Sequence, residues 1–295
     1  MLLLAKPEED IMDALSDAID FLRDKGVEVL VERFAFNHFN EQPRGELCLG
    51  VGAPVTALRP PVDVVHSDNL EGIDLVISFG GDGLLMHCNT LFGGRSLPPA
   101  MCFDFGSMSF LSSFAYVDFE REMTKVMTEP IKLTLRMRLE CTITRADGSL
   151  VGTFHVLNEA VVDRGPSPFL SNVDMYCDEQ YLTTVQGDGV IIATPTGSTA
   201  YSLAAGGSMV HPSVPAILLT PICPHTLSFR PLLLPDSARV QCVVPEEGRS
   251  SAWVSFDGKF RQELGKGDML EVKMSPYPIP TVNSLDFSVD WFNSL

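Results

Sequence analysis

The chain has no long apolar run. Nothing in it approaches the ~18 consecutive apolar residues of a membrane-spanning helix, so no span is expected. It is also short of positive charge, with 21 Lys and Arg against 38 Asp and Glu, a formal charge of -17 and a pI near 4.6. Nucleic acid and anionic membrane surfaces both require a basic face, so neither is expected as a main partner. Any anionic small ligand must then be held by local N–H groups or by single cations. The seven cysteines include no C-x-x-C spacing, which leaves neither a zinc framework nor a disulfide framework implied. They read as reduced, mostly buried thiols of an intracellular protein. The patterns G-x-x-x-x-G-K-[ST], H-E-x-x-H and G-x-S-x-G are all missing. P-loop nucleotide hydrolases, zincin metalloproteases and hydrolase elbows are therefore unsupported. Met1-Leu2-Leu3-Leu4-Ala5 is too short for a signal peptide and is followed by Glu8, Glu9 and Asp10, so a cytoplasmic location is expected.

What is present is a chain of 295 residues, 45% hydrophobic and 20% charged, enough for a real core and for two ordinary domains. Leu2 to Ala5 reads as a strand and Asp13 to Lys25 as a helix, closed by Gly26. Val27 to Val31 reads as a second strand. Pro43, Pro54, Pro60 and Pro61 make residues 34–70 a loop-rich segment. Leu75 to Phe79 is a strand, followed by a helix to about Phe92 and a strand from Ala100 to Phe103. Such alternation implies a parallel sheet with right-handed crossovers. From Leu133 the texture changes to strands joined by turn dipeptides, Asp147-Gly148 and Asp257-Gly258 among them. The expected organisation is an α/β domain with a parallel sheet over 1–130 and a mainly β domain over 131–275. A C-terminal arm over 276–295, carrying Phe287, Trp291 and Phe292, packs back on the body.

Five stretches could carry chemistry. Gly80-Gly81-Asp82-Gly83 joins an apolar strand to a helix start. Glycines let N–H groups approach an anion, and a helix N-terminus favours negative charge. A carboxylate in such a phosphate cradle suggests chemistry beside the phosphate, although Asp82-Gly83 would also suit a plain turn with positive φ. Asn158-Glu159 interrupts a β-like apolar run. Alternation places Glu159 on the exposed face of an edge strand, and the competing reading is a hydrogen-bonding pair for sugar hydroxyls or a ring edge. Gly187-Asp188-Gly189 leads through a strand into the hydroxyl-rich loop Thr194 to Ser202, which suits phosphate or ribose as well as an ordinary capped loop. Asp257 fits a hairpin turn, and His225 or Arg230 could bring positive charge to a phosphate.

Together these motifs resemble the NAD kinase family, in its eukaryotic cytosolic-type branch. The resemblance rests on Gly80 to Gly83, Leu157-Asn158-Glu159, Gly187-Asp188-Gly189 and Thr194 to Tyr201, in that order. It continues through Val210-His211-Pro212, Pro221 to His225, Ser228 to Pro231 and Val254 to Gly258. It implies an N-terminal α/β domain with a C-terminal β-sandwich, and transfer of the terminal phosphate of ATP to the 2′-hydroxyl of the adenosine ribose of NAD. It implies Asp82 as the proton acceptor, with Gly80, Gly81, Asp82 and Gly83 lining the nucleotide site. Asn158 and Glu159 correspond to contacts with NAD, and Asp188 to an acid near the nicotinamide end. Thr199, Ala200, Tyr201 and Ser202 belong to a loop for the adenosine part, and Thr196 is a substrate- or nucleotide-binding residue. Gln186 and Asp257 are further nucleotide contacts, the residue type at 186 being variable. Mg²⁺ is expected with ATP and no fixed protein metal site. The resemblance also implies a homodimer or homotetramer. The chain departs from the family pattern at Asp104 and at Ser109, where Gly is common. An NADH-preferring kinase, a lipid kinase sharing the glycine turn and a non-catalytic dinucleotide-binding protein are the alternatives.

Overall fold

The computed structural model describes residues 1–41, 63–65, 69–106, 110–111, 114–225, 229–248, 250–284 and 287–293. The chain divides into two compact units. One comprises Met1–Cys88, Pro98–Thr134 and Thr281–Leu295, and the other Asn89–Leu97 and Leu135–Pro280. Both are discontinuous in sequence, whereas the composition drew consecutive segments.

The first unit is built on β1 (Leu2–Ala5), α1 (Glu9–Asp24), β2 (Leu30–Val31), α2 (Arg33–Glu41) and β3 (Asp63–Val64). It continues with β4 (Val76–Phe79), α3 (Gly83–Phe92, of which the residues from Asn89 on fall in the second unit), β5 (Ala100–Asp104), β6 (Phe114–Ala115) and α4 (Phe119–Thr128). α1 forms because Ile11, Leu15, Ala18 and Leu22 recur at helical spacing and bury one stripe, while Glu9 and Asp10 complement its N-terminal dipole. It ends where Gly26, at φ +76°, donates its N–H to the Arg23 carbonyl at 2.8 Å. Three expectations differ from the structure. The helix read from Asp13 starts at Glu9, where acidic residues suit a first turn. The strand read over Val27 to Val31 shrinks to Leu30–Val31. The loop read over 34–70 begins with a helix, Arg33–Glu41, because the prolines start only at 43 and Ala35, Phe36 and Phe39 have a core to pack on. The rest of that segment lies largely outside the described residues.

Strands β7 (Leu133–Arg136), β8 (Leu139–Thr144), β9 (Leu150–Val156) and β10 (Glu159–Asp163) follow. Then come β11 (Ser171–Cys177), β12 (Gln180–Gly187), β13 (Gly189–Ala193), a 3-10 turn at Thr196–Thr199 and α5 (Tyr201–Ala204). The remaining strands are β14 (Ala216–Ile222), β15 (Leu232–Pro235), β16 (Val240–Val243), β17 (Ala252–Phe256), β18 (Lys259–Leu264), β19 (Met269–Met274) and β20 (Ile279–Val282), before α6 (Phe287–Asn293).

Among the described residues the strands form three sheets. The sheet of the first unit has the order β3-β2-β1-β4-β5-β20-β7, with β6 on β5, and its β1–β2, β1–β4 and β4–β5 pairs are parallel. Strand order reverses between β1 and β4, since α1 carries the chain from β1 outward one way and α3 carries it from β4 the other way. Doubly wound sheets bind ligands outside the carboxyl ends of strands at such a switch point. The carboxyl end of β4 is anchored by Phe79, whose ring packs on Phe103 at 6.0 Å and Phe119 at 5.6 Å between centroids.

The second unit holds two antiparallel sheets, β15-β14-β13-β10-β17-β18 and β12-β11-β16-β19-β8-β9. Leu139, Cys141 and Ile143 of one meet Ala160, Val162 and Val254 of the other in a shared core, which is a sandwich. Strand alternation supplies that core at every second residue. β10 and β13 are buried on both faces, because Val161, Ile191 and Ala193 pack outward against Val210 and Leu218. Asp257 and Gly258, both at positive φ, close a two-residue turn between β17 and β18, as the sequence suggested. A further turn at Asp178-Glu179 joins β11 to β12 without a glycine.

Candidate functional site

Gly80 ends β4 and takes φ +142°, and its N–H bonds the Phe103 carbonyl at 2.9 Å. A Cβ there would lie 3.1 Å from the Leu84 side chain. Leu84 and Leu85 then donate to the carbonyls of Gly81 and Asp82, both at 3.1 Å, which starts α3. Positive φ falls on Gly80 and not on Asp82, so the acid is not there to fill a turn position. Its carboxylate is instead clamped. Oδ2 accepts the N–H of Phe110 at 3.1 Å and Oδ1 that of Leu111 at 3.0 Å. Two amides on two oxygens fix the plane of the half-buried carboxylate, and bonds to a charged acceptor are about twice as strong as neutral ones. Asp104 closes β5, and Ser109 lies outside the described residues.

In the second unit, Leu157 and Asn158 form the turn from β9 to β10, and Glu159 opens β10. This strand lies between β13 and β17, not at an edge, and Glu159 is only 8% exposed. The exposed-edge expectation therefore fails, because alternation within one strand does not reveal its neighbours. Asp257 organises the turn. Its Oδ1 accepts the N–H of Asn158 at 2.9 Å and of Glu159 at 3.1 Å, and its Oδ2 that of Leu157 at 2.8 Å. From the other side Thr194 donates its N–H to the Asn158 carbonyl at 2.9 Å and its hydroxyl to the Leu157 carbonyl at 2.6 Å. The loops around Asn158, Thr194 to Gly197 and Asp257 thus come together. Oε2 of Glu159 is buried with no hydrogen-bond partner. Burial, and then the nearby Asp257 carboxylate, push the Glu159 carboxyl up to about 7. Burial also raises Asp257, against the lowering effect of its three main-chain donors and Asn89.

The remaining sequence candidates differ in what they offer. Asp188 is ion-paired through Oδ1 to Arg164 at 2.8 Å. Gln186 is exposed, and its carbonyl accepts the N–H of His225 at 2.8 Å. Gly187 lies against the 222–224 main chain, where a Cβ would be 2.8 Å from the Ile222 carbonyl. In the hydroxyl-rich loop Thr196 is buried, and Thr199 and Ala200 are half-buried. Ser202 is fully buried and bonded to the Thr220 hydroxyl at 2.8 Å. Tyr201 is 44% exposed, its phenol raised by partial burial and then by Asp163. His225 and Arg230 are both exposed.

Two residues escaped the sequence reading. Asn89, 1% exposed, donates to Asp257 Oδ2 at 3.2 Å and accepts from Arg138 at 2.7 Å. Arg138 has no exposed surface at all. A polar residue among the apolar positions of α3 was the available signal for Asn89. Among the described residues no group of three or more His, Cys, Asp or Glu is placed to hold a metal ion. Six cysteines there are free thiols, and no helix is long and apolar enough to cross a membrane.

Residues 157–284 match the family described as the ATP-NAD kinase C-terminal domain, a match that begins on the turn held by Asp257. The solved structure of yeast NADH kinase complexed with NADH superposes with a TM-score of 0.87 at 32% identity, covering 99% of this chain and 85% of that one. The chain belongs to the NAD kinase family. NAD kinase 2, chloroplastic, of Arabidopsis thaliana is 46% identical over 302 residues, which cover 100% of this chain and 30% of that protein. The NAD(+) kinase of Saccharomyces cerevisiae is 46% identical over 240 residues, 74% of this chain and 45% of its own length. The chain thus spans less than half of these two relatives. The fold that the family resemblance implies, α/β followed by a β-sandwich, is the fold observed.

Proposed function

We propose that this chain transfers the terminal phosphoryl group of ATP to the 2′-hydroxyl of the adenosine ribose of NAD, giving NADP and ADP. The observation that carries the reading is the Asp82 carboxylate, held by the Phe110 and Leu111 amides at the carboxyl end of β4 and the start of α3. A ribose hydroxyl is a weak nucleophile, and a carboxylate of fixed orientation can align it and accept its proton. As the O2′–phosphorus bond forms, the bond to the ADP oxygen breaks and the O2′ proton passes to Asp82. A glycine turn that opens a helix is the kind of backbone that brings N–H groups close to phosphates. Phosphoryl transfer rests on positioning and charge stabilisation, with Mg²⁺ arriving on the ATP substrate.

Asn158 and Glu159 are assigned to NAD, and the unpaired Oε2 of Glu159 supports this, since a buried acceptor without a partner is costly until a ligand hydroxyl fills it. A raised carboxyl can also donate. Asp188 is assigned near the nicotinamide end. Gln186, Thr196, Thr199, Ala200, Tyr201 and Ser202 are assigned to the nucleotide by resemblance, the exposed Tyr201 ring being the readiest stacking surface. A cytoplasmic, homodimeric or homotetrameric enzyme completes the proposal.

A second acceptor, NADH, is favoured by the likeness to the yeast NADH kinase structure. Purified chain with ATP and Mg²⁺ is offered NAD, NADH or a diacylglycerol, and the products are separated. NADP as the main product is expected. NADPH as the main product selects the second acceptor, phosphorylated lipid the lipid kinase, and no product with NAD bound a binding protein.

A further inference from the structure

We propose that Asn89 and Arg138 are positioning residues for the dinucleotide. They hold Asp257, and Asp257 holds the main-chain turn that presents Asn158 and Glu159; the inference rests on the assignment of that pair to NAD. Arg138, fully buried, donates to the carbonyls of Tyr277, Gly93 (2.8 Å) and Arg95 (3.0 Å) and to Asn89 Oδ1 at 2.7 Å. A guanidinium has donors only, so it dictates which end of the Asn89 amide faces it. The other end, Nδ2, then points its two hydrogens to the His155 carbonyl at 2.7 Å and to Asp257 Oδ2 at 3.2 Å.

Asp257 is thereby filled. A carboxylate has about four lone-pair sites, and Leu157, Asn158, Glu159 and Asn89 supply four donors. Its main chain is fixed as well, by φ +47° in a two-residue turn and by an N–H bond to the Glu159 carbonyl at 3.0 Å. An acid so occupied has nothing left for a ligand. Its work is to aim three consecutive amides, and therefore the side chains of Asn158 and Glu159. Asn89, His155 and Asp257 also line a cavity of about 160 Å³ with Phe154, Phe256 and Phe260. A shorter residue at 89 opens onto this space, where water can take the place of the lost amide.

Asn89→Ala and the isosteric Asn89→Asp test the inference. The second keeps an acceptor for Arg138 but turns an oxygen toward Asp257. Asp268→Asn is the control, because Asp268 is a buried acid of the same unit bonded to Arg145, Ala146 and Gly265 and not to the turn. Hydrogen exchange of the Leu157, Asn158 and Glu159 amides, read by NMR on the whole chain, should quicken about tenfold in both Asn89 variants and stay unchanged in the control, as expected for one weakened hydrogen bond. In steady-state assays KM for NAD should rise about tenfold while KM for ATP moves less than about twofold, the signature of lost NAD binding alone. Unchanged exchange at 157–159 overturns the inference, and so does an unchanged KM for NAD despite a lowered melting temperature. If the wild type makes no NADP, the proposed function fails and the exchange data still judge the positioning role.

Discussion

Gly197 sits so close to Asn158 that a Cβ on it would overlap the Asn158 carbonyl oxygen, carbon and Cα. The overlapped atoms are backbone, which cannot swing aside. This approach is what lets Thr194 bind both carbonyls of the Leu157-Asn158 turn. Gly197→Ala should therefore part the two loops, destabilising the protein by about 1–3 kcal/mol in denaturant unfolding and raising KM for NAD. A variant with wild-type stability and wild-type KM would show that the contact is loose.

Glu159 gives a pH signature. Its carboxyl stands at about 7 in the folded chain against 4.5 ordinarily. Between these values the folded state keeps a proton that the unfolded state has released. This group's contribution to stability is greatest at and below about pH 4.5, falls as pH rises and levels off above about 7, a loss of roughly 3 kcal/mol. Glu159→Gln cannot titrate. Unfolding free energies of the two proteins from pH 4.5 to 8 should diverge over that window, with the wild type losing more. Parallel curves would mean that Glu159 ionises at its ordinary value.

Ser202 and Thr220 share a buried hydroxyl pair at 2.8 Å. Ser202→Ala should cost about 1–2 kcal/mol, since it leaves the Thr220 hydroxyl short of a partner. In a double-mutant cycle with Thr220→Val the coupling should reach about 1 kcal/mol. Additive effects would show that the two hydroxyls do not depend on each other.

What the sequence made legible was local. The strand, glycine turn and helix around Asp82 follow from Leu75 to Phe79, Gly80 and the apolar run after Gly83, all adjacent in the chain. Asp257-Gly258 announced its own turn. The α2 helix was hidden by prolines that lie just beyond it. The burial of Glu159 was not readable, because β10 becomes a central strand only through its pairings with β13 and β17. The partners of Asn89 and Arg138 were out of reach for the same reason. Asn89 meets Asp257 across 168 residues and Arg138 across 49, and no pattern within a helix or strand encodes such a meeting.

The proton acceptor is the centre of the proposed reaction. NADP formation by the wild type and by Asp82→Asn, at saturating NAD and MgATP, tests it most directly. Asparagine keeps the size of the side chain but is a far weaker base, so turnover should fall by about 10²–10⁴-fold while the dissociation constant for NAD stays within a few-fold of the wild type. An unchanged turnover number in Asp82→Asn would contradict the role assigned to Asp82.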